Sequence, residues 1–193
     1  ALVHVYTDGS VGVSTGAVEM GQGVNTKMLQ VVATIFSIDP ARIKVNTTNT
    51  YRIANTSPTA ASATADLNGR ATQIACLAIL QRLKQVAADE LNVAFDAIEI
   101  KDEFIYTNGI KTDWDWKKLV MAAYIKRISL SEHGHYTPPG IHYDAAKEKG
   151  HPFAYHVYGT AIITVTIDCL RGIYETDSVK VVHDFGSSMN TMI

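Results

Sequence analysis

Alternating apolar and polar positions open the chain. In LVHVYTDGSVGVS, valines alternate with polar neighbours on both sides of Asp8-Gly9, a strong two-residue turn signal, so the pattern predicts a β-hairpin. A second hairpin is predicted over AIEIKDEFIYTNGIKTD, with Asn108-Gly109 as its turn.

Helical periodicity appears in three places. After Gly23, apolar residues recur at Met28, Val32 and Phe36 and predict a first helix. WDWKKLVMAAYIKRISL predicts a third helix with Asp113 as its N-cap. Between them, a long helix is predicted from an apolar face formed by Ala71, Ala75, Ile79, Leu83 and Val86, with Ile74 and Ala78 beside it.

The remaining segments read as strands and loop. IKVNTTNT is rich in β-branched residues and predicts a strand. SEHGHYTPPGIHYDAAKEKGHPFAY is rich in Gly, Pro and His and predicts a loop. The last third predicts two long strands joined near Arg171-Gly172. The fold class is therefore α+β, with β-hairpins and a mixed sheet packed against two or three helices.

A weak internal similarity, the internal echo, relates two segments. FSIDPARIKV and LNVAFDAIEI carry apolar residues at matching positions. Each segment has the pattern of a helix end, a short link and a strand. A duplicated αβ unit and a chance similarity between two ordinary α-to-β connections both explain it.

Composition narrows the range of partners. Of the 193 residues, 47% are hydrophobic and the net charge is -2, so a core is expected and no basic stripe for nucleic acid is present. No apolar run approaches the roughly 20 residues of a membrane span. The two cysteines, Cys76 and Cys169, form no C-x-x-C motif and indicate buried, inert thiols in the cytoplasm.

The first candidate site is VEMGQG, where a predicted strand becomes a helix. Gly21 and Gly23 lack a side chain, and a helix start carries unpaired N–H groups, so the turn suits an anion such as phosphate. Gln22 adds an amide that both donates and accepts. A tight turn that merely needs glycines is the alternative, and no P-loop motif is present.

The second candidate site is NTSPTAASATADLNG, which has no large side chain from Ser57 to Asp66. Ser62, Thr64 and the backbone amides at the start of the long helix suit a flat polar ligand. Alternatively, these residues are small because two helices pack closely there. Together, the two segments predict one pocket at two helix N-termini for a ligand with phosphates and polar rings.

These two segments, together with YGTAIITVTIDCLRG…HDFGSSMN, resemble the molybdenum-cofactor domain of xanthine dehydrogenases and related aldehyde oxidases, and are closest to xanthine dehydrogenase. The resemblance runs over nearly the whole chain, so residues 1–193 are expected to be a fragment of a molybdopterin-binding domain. It implies a molybdenum–pyranopterin cofactor and hydroxylation of a purine or an aldehyde, with water as the oxygen source.

The resemblance also assigns residues. It implies that Gly21, Gln22 and Gly23 contact the cofactor and that the segment from Thr59 to Ser62 lies close to it. The cofactor-binding set is Gly21, Gln22, Gly23, Thr59, Ala60, Ala61, Ser62, Thr64 and Asp66. No protein ligand to the metal is expected, because the pterin sulfurs hold it in this family.

Further expectations concern what lies outside the chain. The catalytic glutamate of the family sits in a Gly-Glu-Pro-type motif, and no glutamate here precedes a proline. The fragment is therefore expected to contain no catalytic residue, to be inactive alone and to hold no cofactor unaided. Its expected partners are the rest of the molybdenum domain, FAD and 2Fe–2S domains or subunits, and a second copy in a homo-oligomer.

Other function classes fit less well. His133, His135 and their neighbours suit exposed loop histidines better than a zinc site, because thiolate or carboxylate partners at fixed spacing are missing. The serines in GSSMN and GSVGV do not fit the nucleophile motif of a hydrolase. A non-catalytic α+β module that binds a phosphate-bearing ligand or a partner protein remains the alternative function.

Overall fold

The computed structural model describes residues 1–46, 48–53, 56–60, 63–184, 186–188 and 190–192. They form two units, residues 1–137 with Met192, and residues 138–191. The helices are α1 (Val24–Phe36), α2 (Ala63–Leu91) and α3 (Trp116–Ile125).

The first unit contains a four-stranded mixed sheet. Its strands are β1 (Leu2–Val5), β2 (Val11–Ser14), β3 (Ile43–Asn46) and β7 (Ser131–His133), in the order β3-β2-β1-β7. β2 and β3 are parallel, so the chain must cross over between them, and α1 makes that crossover. The other two pairings are antiparallel.

A second, three-stranded antiparallel sheet lies in the same unit. Its strands are β4 (Ile98–Lys101), β5 (Phe104–Thr107) and β6 (Ile110–Asp115). Apolar residues of both sheets and all three helices share one core, whose largest fully buried members include Phe36, Leu83, Ile105 and Trp116.

The second unit consists of two antiparallel strand pairs. They are β8 (His142–Asp144) with β9 (Lys149–His151), and β10 (Tyr158–Asp168) with β11 (Ile173–Asp184). The long pair is joined at the predicted Arg171-Gly172 turn, and its register shifts between Thr164 and Val165.

Most predicted elements are confirmed. The α+β class, the first hairpin, the three helices and the two long strands are all present. All five residues of the predicted α2 face are buried, but Ile74, predicted beside them, is exposed. The first hairpin closes at Tyr6, whose carbonyl accepts from Gly9 N–H at 2.8 Å, so its loop is longer than the predicted two residues.

Two further predictions are wrong in part. Asp113 does not cap α3, because β6 continues through Asp115, whose carboxylate accepts from Lys118 N–H at 2.7 Å. The segment predicted as loop contains three short strands. The polar β7 becomes a strand by pairing with β1, and β8 and β9 pair with each other.

The internal echo corresponds to a real local similarity. In both segments a helix end is followed by a short 3₁₀ turn, Pro40–Arg42 or Phe95–Ala97, and then a strand. The strands differ in their pairing, since β3 is parallel to β2 whereas β4 is antiparallel to β5. The similarity is therefore confined to the connection.

Trp116 anchors the start of α3 in the core. Its indole is fully buried, lies 5.2 Å from the Phe36 ring, and donates to Gly9 O at 2.8 Å. We expect Trp116→Ala to lower the free energy of unfolding by about 3–5 kcal/mol, because a large cavity and an unpaired carbonyl remain. Trp114→Ala, at a half-buried position, should cost clearly less in urea unfolding. Equal losses would contradict this role.

An ion pair ties the 3₁₀ turn before β3 to the β4–β5 hairpin. Arg42 donates to Glu103 through Nε at 2.5 Å and Nη2 at 3.0 Å, and this bond lowers the pKa of Glu103 below its usual value. A carboxyl with a lowered folded pKa stabilises above its unfolded pKa, and the contribution is lost as pH falls through the folded pKa.

We therefore expect Glu103→Gln to cost about 1 kcal/mol at pH 7. The difference from wild type should shrink as pH falls below the unfolded pKa of about 4.3 and vanish only below the lowered folded pKa. Asp113→Asn, which removes a more exposed pair with Lys118, serves as the control and should change stability less. Urea unfolding across pH measures both, and a pH-independent cost of Glu103→Gln would refute the ion-pair interpretation.

Candidate functional site

The glycine loop, residues 15–23, leads from β2 into α1. Hydrogen bonds to side chains elsewhere in the chain hold it in place. The Thr48 hydroxyl lies 3.1 Å from Thr15 O and 2.6 Å from Ala17 O. Gly16 N–H donates to Asn68 Oδ1 of α2 at 3.1 Å. Backbone groups that no strand pairs are thereby satisfied by side chains from two neighbouring elements.

The described part of the second candidate segment, residues 56–60 and 63–69, lies directly against this loop. Val18 N–H donates to the Thr59 hydroxyl at 2.9 Å. A Cβ on Gly16 would lie 2.3 Å from Thr56 Oγ1, so the absence of a side chain there allows the close approach. The structure therefore brings together the two segments that the sequence assigned to one pocket.

The helices behind the two segments run parallel from this place. Ala65, in the first turn of α2, packs against the cluster of Ala17, Val24 and Met28, and a Cβ added to Gly69 would stand 3.5 Å from the terminal carbon of Met28. The later parts of both helices, for example Phe36 and Leu83, lie together in the larger core. The N-termini of α1 and α2 therefore lie side by side, as the predicted pocket requires.

Gln22 is exposed, and its side chain is folded onto its own loop. Its Oε1 accepts from Met20 N–H at 2.6 Å, and its Nε2 donates to Val18 O at 2.8 Å. A side-chain amide has two N–H groups and two acceptor lone pairs. When contacts among the described residues are counted, one N–H group and one acceptor lone pair of the Gln22 amide remain for a ligand.

Glu19 takes the backbone amides that the sequence assigned to an anion. Its Oε1 accepts from Gly21 N–H and Gly23 N–H, both at 2.9 Å, and its Oε2 accepts from Asn25 N–H at 3.0 Å. The bond from Asn25 is the largest cause that holds the pKa of Glu19 below its usual value. The start of α1 thus already holds a carboxylate.

The remaining predicted residues lie at the start of α2. Thr64 is buried and its hydroxyl accepts from Ala60 N–H at 3.2 Å, which turns it away from solvent. Ala60 and Asp66 are exposed, and Thr59 is half-buried. Ala61 and Ser62 lie outside the described residues. The assignment of this set to a cofactor remains a prediction.

Sequence reasoning missed three residues that build the site. Glu19, Thr48 and Asn68 all satisfy backbone groups of the glycine loop. The signal for Glu19 was a carboxylate just before two glycines and a helix start, a position where acidic groups are favourable. Thr48 and Asn68 gave no local signal, because their partners lie more than 30 residues away in sequence.

Other site classes find little support. Within the described ranges, no group of three or more His, Cys, Asp or Glu residues is placed to hold a metal ion. No helix among these residues is long and apolar enough to cross a membrane. Both cysteines are free; burial raises the pKa of Cys76 to about 12, whereas Cys169 is exposed, contrary to the predicted burial.

The Val18–Thr59 bond can be tested by removing its acceptor. Thr59→Val leaves Val18 N–H without a partner at nearly constant side-chain volume, so we expect its amide to exchange about 5-fold faster or more. Thr59→Ser keeps the hydroxyl and should exchange as wild type does. Hydrogen exchange at Val18 measures both, and identical rates in all three proteins would show that the bond does not hold the segments together.

Comparison with known proteins identifies relatives across the whole chain. It is 41% identical over 193 residues to a xanthine dehydrogenase/oxidase of Rattus norvegicus, and 41% identical to a xanthine dehydrogenase of Oryza sativa subsp. japonica. Each match covers 100% of this chain and 13% of the relative. The chain therefore spans a small part of the length of these relatives.

Solved structures share the fold. CO dehydrogenase from Oligotropha carboxidovorans superposes with a TM-score of 0.81 at 23% identity, covering 99% of this chain and 23% of that one. Quinoline 2-oxidoreductase from Pseudomonas putida 86 gives 0.77 at 19% identity, with 99% and 24% covered. The family model for the molybdopterin cofactor-binding domain matches residues 1–193, and the chain belongs to this family.

Proposed function

We propose that this chain forms one wall of the molybdopterin site in a molybdenum hydroxylase that oxidises a purine, with water as the oxygen source. Family membership supports the cofactor, and relatives named xanthine dehydrogenase, 37% to 42% identical, support the purine rather than an aldehyde. The observation that carries the proposal is the 2.9 Å bond between Val18 and Thr59, which joins the two candidate segments.

The residues present fit the polar edge of a pterin. Gln22 is exposed and offers one donor and one acceptor to a neutral ring. Gly21 has φ +100° and nothing within 4 Å of the place where a Cβ would stand, so the loop backbone is open to a ligand. Thr59 lies beside it. The rest of the proposed set is Gly23, Ala60, Ala61, Ser62, Thr64 and Asp66.

A bound molybdenum–pterin would supply the redox change and the oxygen transfer to the substrate. The residues of this chain would bind the cofactor and fix its orientation. Gln22 would direct hydrogen bonds to the ring edge, and the small residues at the start of α2 would leave room for it. The glutamate that moves a proton in this family has no counterpart among the residues of this chain.

The β10–β11 ribbon supports a place within a larger protein. Its register sets Ala161, Ile163 and Ile167 opposite Val181, Val179 and Tyr174. Alternation puts the three β10 residues on one face, and their β11 partners share that face because the register shift occurs between Val179 and Tyr174. Ile163, for example, is 59% exposed. Because a two-stranded ribbon is at best marginally stable alone, we propose that the rest of the molybdenum domain covers this apolar face.

The remaining partners follow from the same proposal. FAD and 2Fe–2S centres would lie on other domains or subunits, since two cysteines are too few for the four thiolates of a cluster. The full enzyme would be a cytoplasmic homo-oligomer, and the free, buried thiol of Cys76 suits a reducing compartment. The non-catalytic alternative is not favoured, because relatives named as dehydrogenases match the entire chain.

Replacing Gln22 tests the proposed cofactor contact. Gln22→Ala in the intact protein removes the free amide donor and acceptor, so we expect a several-fold lower molybdenum and pterin content. Gln85→Ala makes the same change at an exposed position in the C-terminal part of α2 and should leave both contents unchanged. Metal analysis and pterin fluorescence after release measure the contents.

The wild-type protein provides the internal standard for this comparison. Molybdenum in wild type but equal contents in both variants would refute the role of Gln22. An intact wild-type protein that contains no molybdenum would refute the proposed function itself and favour the non-catalytic alternative.

A further inference from the structure

Glu19 makes an unusual number of hydrogen bonds for an exposed carboxylate. Both of its oxygens accept from backbone amides, Gly21 and Gly23 on one oxygen and Asn25 on the other, all within 3.0 Å. These donors span the turn before α1 and the first turn of the helix itself. One side chain therefore binds the loop to the helix start.

The position of the carboxylate changes what α1 can bind. Gly23 is the N-cap and has no side chain to accept a hydrogen bond, so the first amides of the helix need another acceptor. Glu19 supplies a negative charge at the positive end of the helix, where it is favourable. A phosphate at the same place would have to displace a bound carboxylate or accept its repulsion.

The glycine conformations make this arrangement necessary. Gly21 and Gly23 have φ of +100° and +76°, in the left-handed region that side-chain-bearing residues avoid. A turn built from such residues has little intrinsic rigidity, because glycine loses the most conformational freedom on ordering. Bonds from Glu19 to both glycines on either side of Gln22 hold the turn in one conformation.

We propose that Glu19 is a positioning residue whose carboxylate occupies the start of α1 as a built-in anion and holds Gln22 for ligand binding. The glycine loop would then recognise a neutral polar edge of its ligand and not a phosphate. This statement about the ligand rests on the proposed function, whereas the role of Glu19 in the loop does not.

The first test measures the loop directly in the intact protein. Hydrogen exchange by mass spectrometry on the peptide covering residues 18–28 reports the three amides. We expect Glu19→Ala to raise their exchange about 10-fold or more, because three bonds to a charged acceptor are lost. Glu19→Gln should give a smaller rise, because its Oε1 still accepts from the glycines but its Nε2 cannot accept from Asn25.

Glu99→Gln is the matched control, since it removes an exposed carboxylate from β4. Its peptide 18–28 should exchange as in wild type. Wild-type exchange in Glu19→Ala would overturn the proposal.

A second test uses inorganic phosphate and acetate as probes of the vacated position. In Glu19→Ala, either anion should slow the exchange of peptide 18–28, because the helix start is again free to bind an anion. In wild type neither should change it. If phosphate slowed exchange in wild type, the statement that Glu19 excludes phosphate would be overturned. A general structural role of Glu19 would not lead added anions to restore slow exchange in Glu19→Ala.

Molybdenum content links this role to the proposed function. If intact wild type contains molybdenum, Glu19→Gln should contain several-fold less, with an unchanged melting temperature. Wild-type molybdenum in that variant, together with faster loop exchange, would overturn the positioning role. A wild type without molybdenum would refute the proposed function alone, and the exchange experiments would still decide the role of Glu19.

Discussion

The parallel packing of α1 against α2 is the constraint on which the candidate site depends. It brings the two helix starts to the same end of the unit, and with them the glycine loop and the described residues of the second candidate segment. Gly69 lies where the helices approach, and a Cβ added there would be in van der Waals contact with the terminal carbon of Met28, 3.5 Å away.

The long regular elements were predictable because their signals are local and repeated. The apolar face of α2, for example Ala75, Ile79 and Leu83, recurs at helical spacing over several turns. β7 was not predictable, because three polar residues become a strand only where β1 offers an unpaired edge. Asp113 and Asp115 are equally good N-caps by composition, and the pairing of β6 with β5 decides between them.

The candidate site shows the same division. The two small-residue segments were visible in the sequence, and their proximity was inferred from their shared character and a family resemblance. The contacts between the two segments could not be predicted, because the acceptor for Val18 N–H lies 41 residues further along the chain. Glu19 was overlooked since its role depends on left-handed glycines, which turn three amides toward one carboxylate. Before an anion site is inferred from a helix start, it must therefore be shown that no acidic side chain of the protein already occupies that position.

The most direct measurement is a crystal structure of the intact protein with its cofactor bound. We expect one pterin to contact both the amide of Gln22 and the segment around Thr59 and Ala60, while the carboxylate of Glu19 keeps its bonds to Gly21 and Gly23. A pterin that contacts neither segment, or a phosphate seated in place of the Glu19 carboxylate, would contradict it.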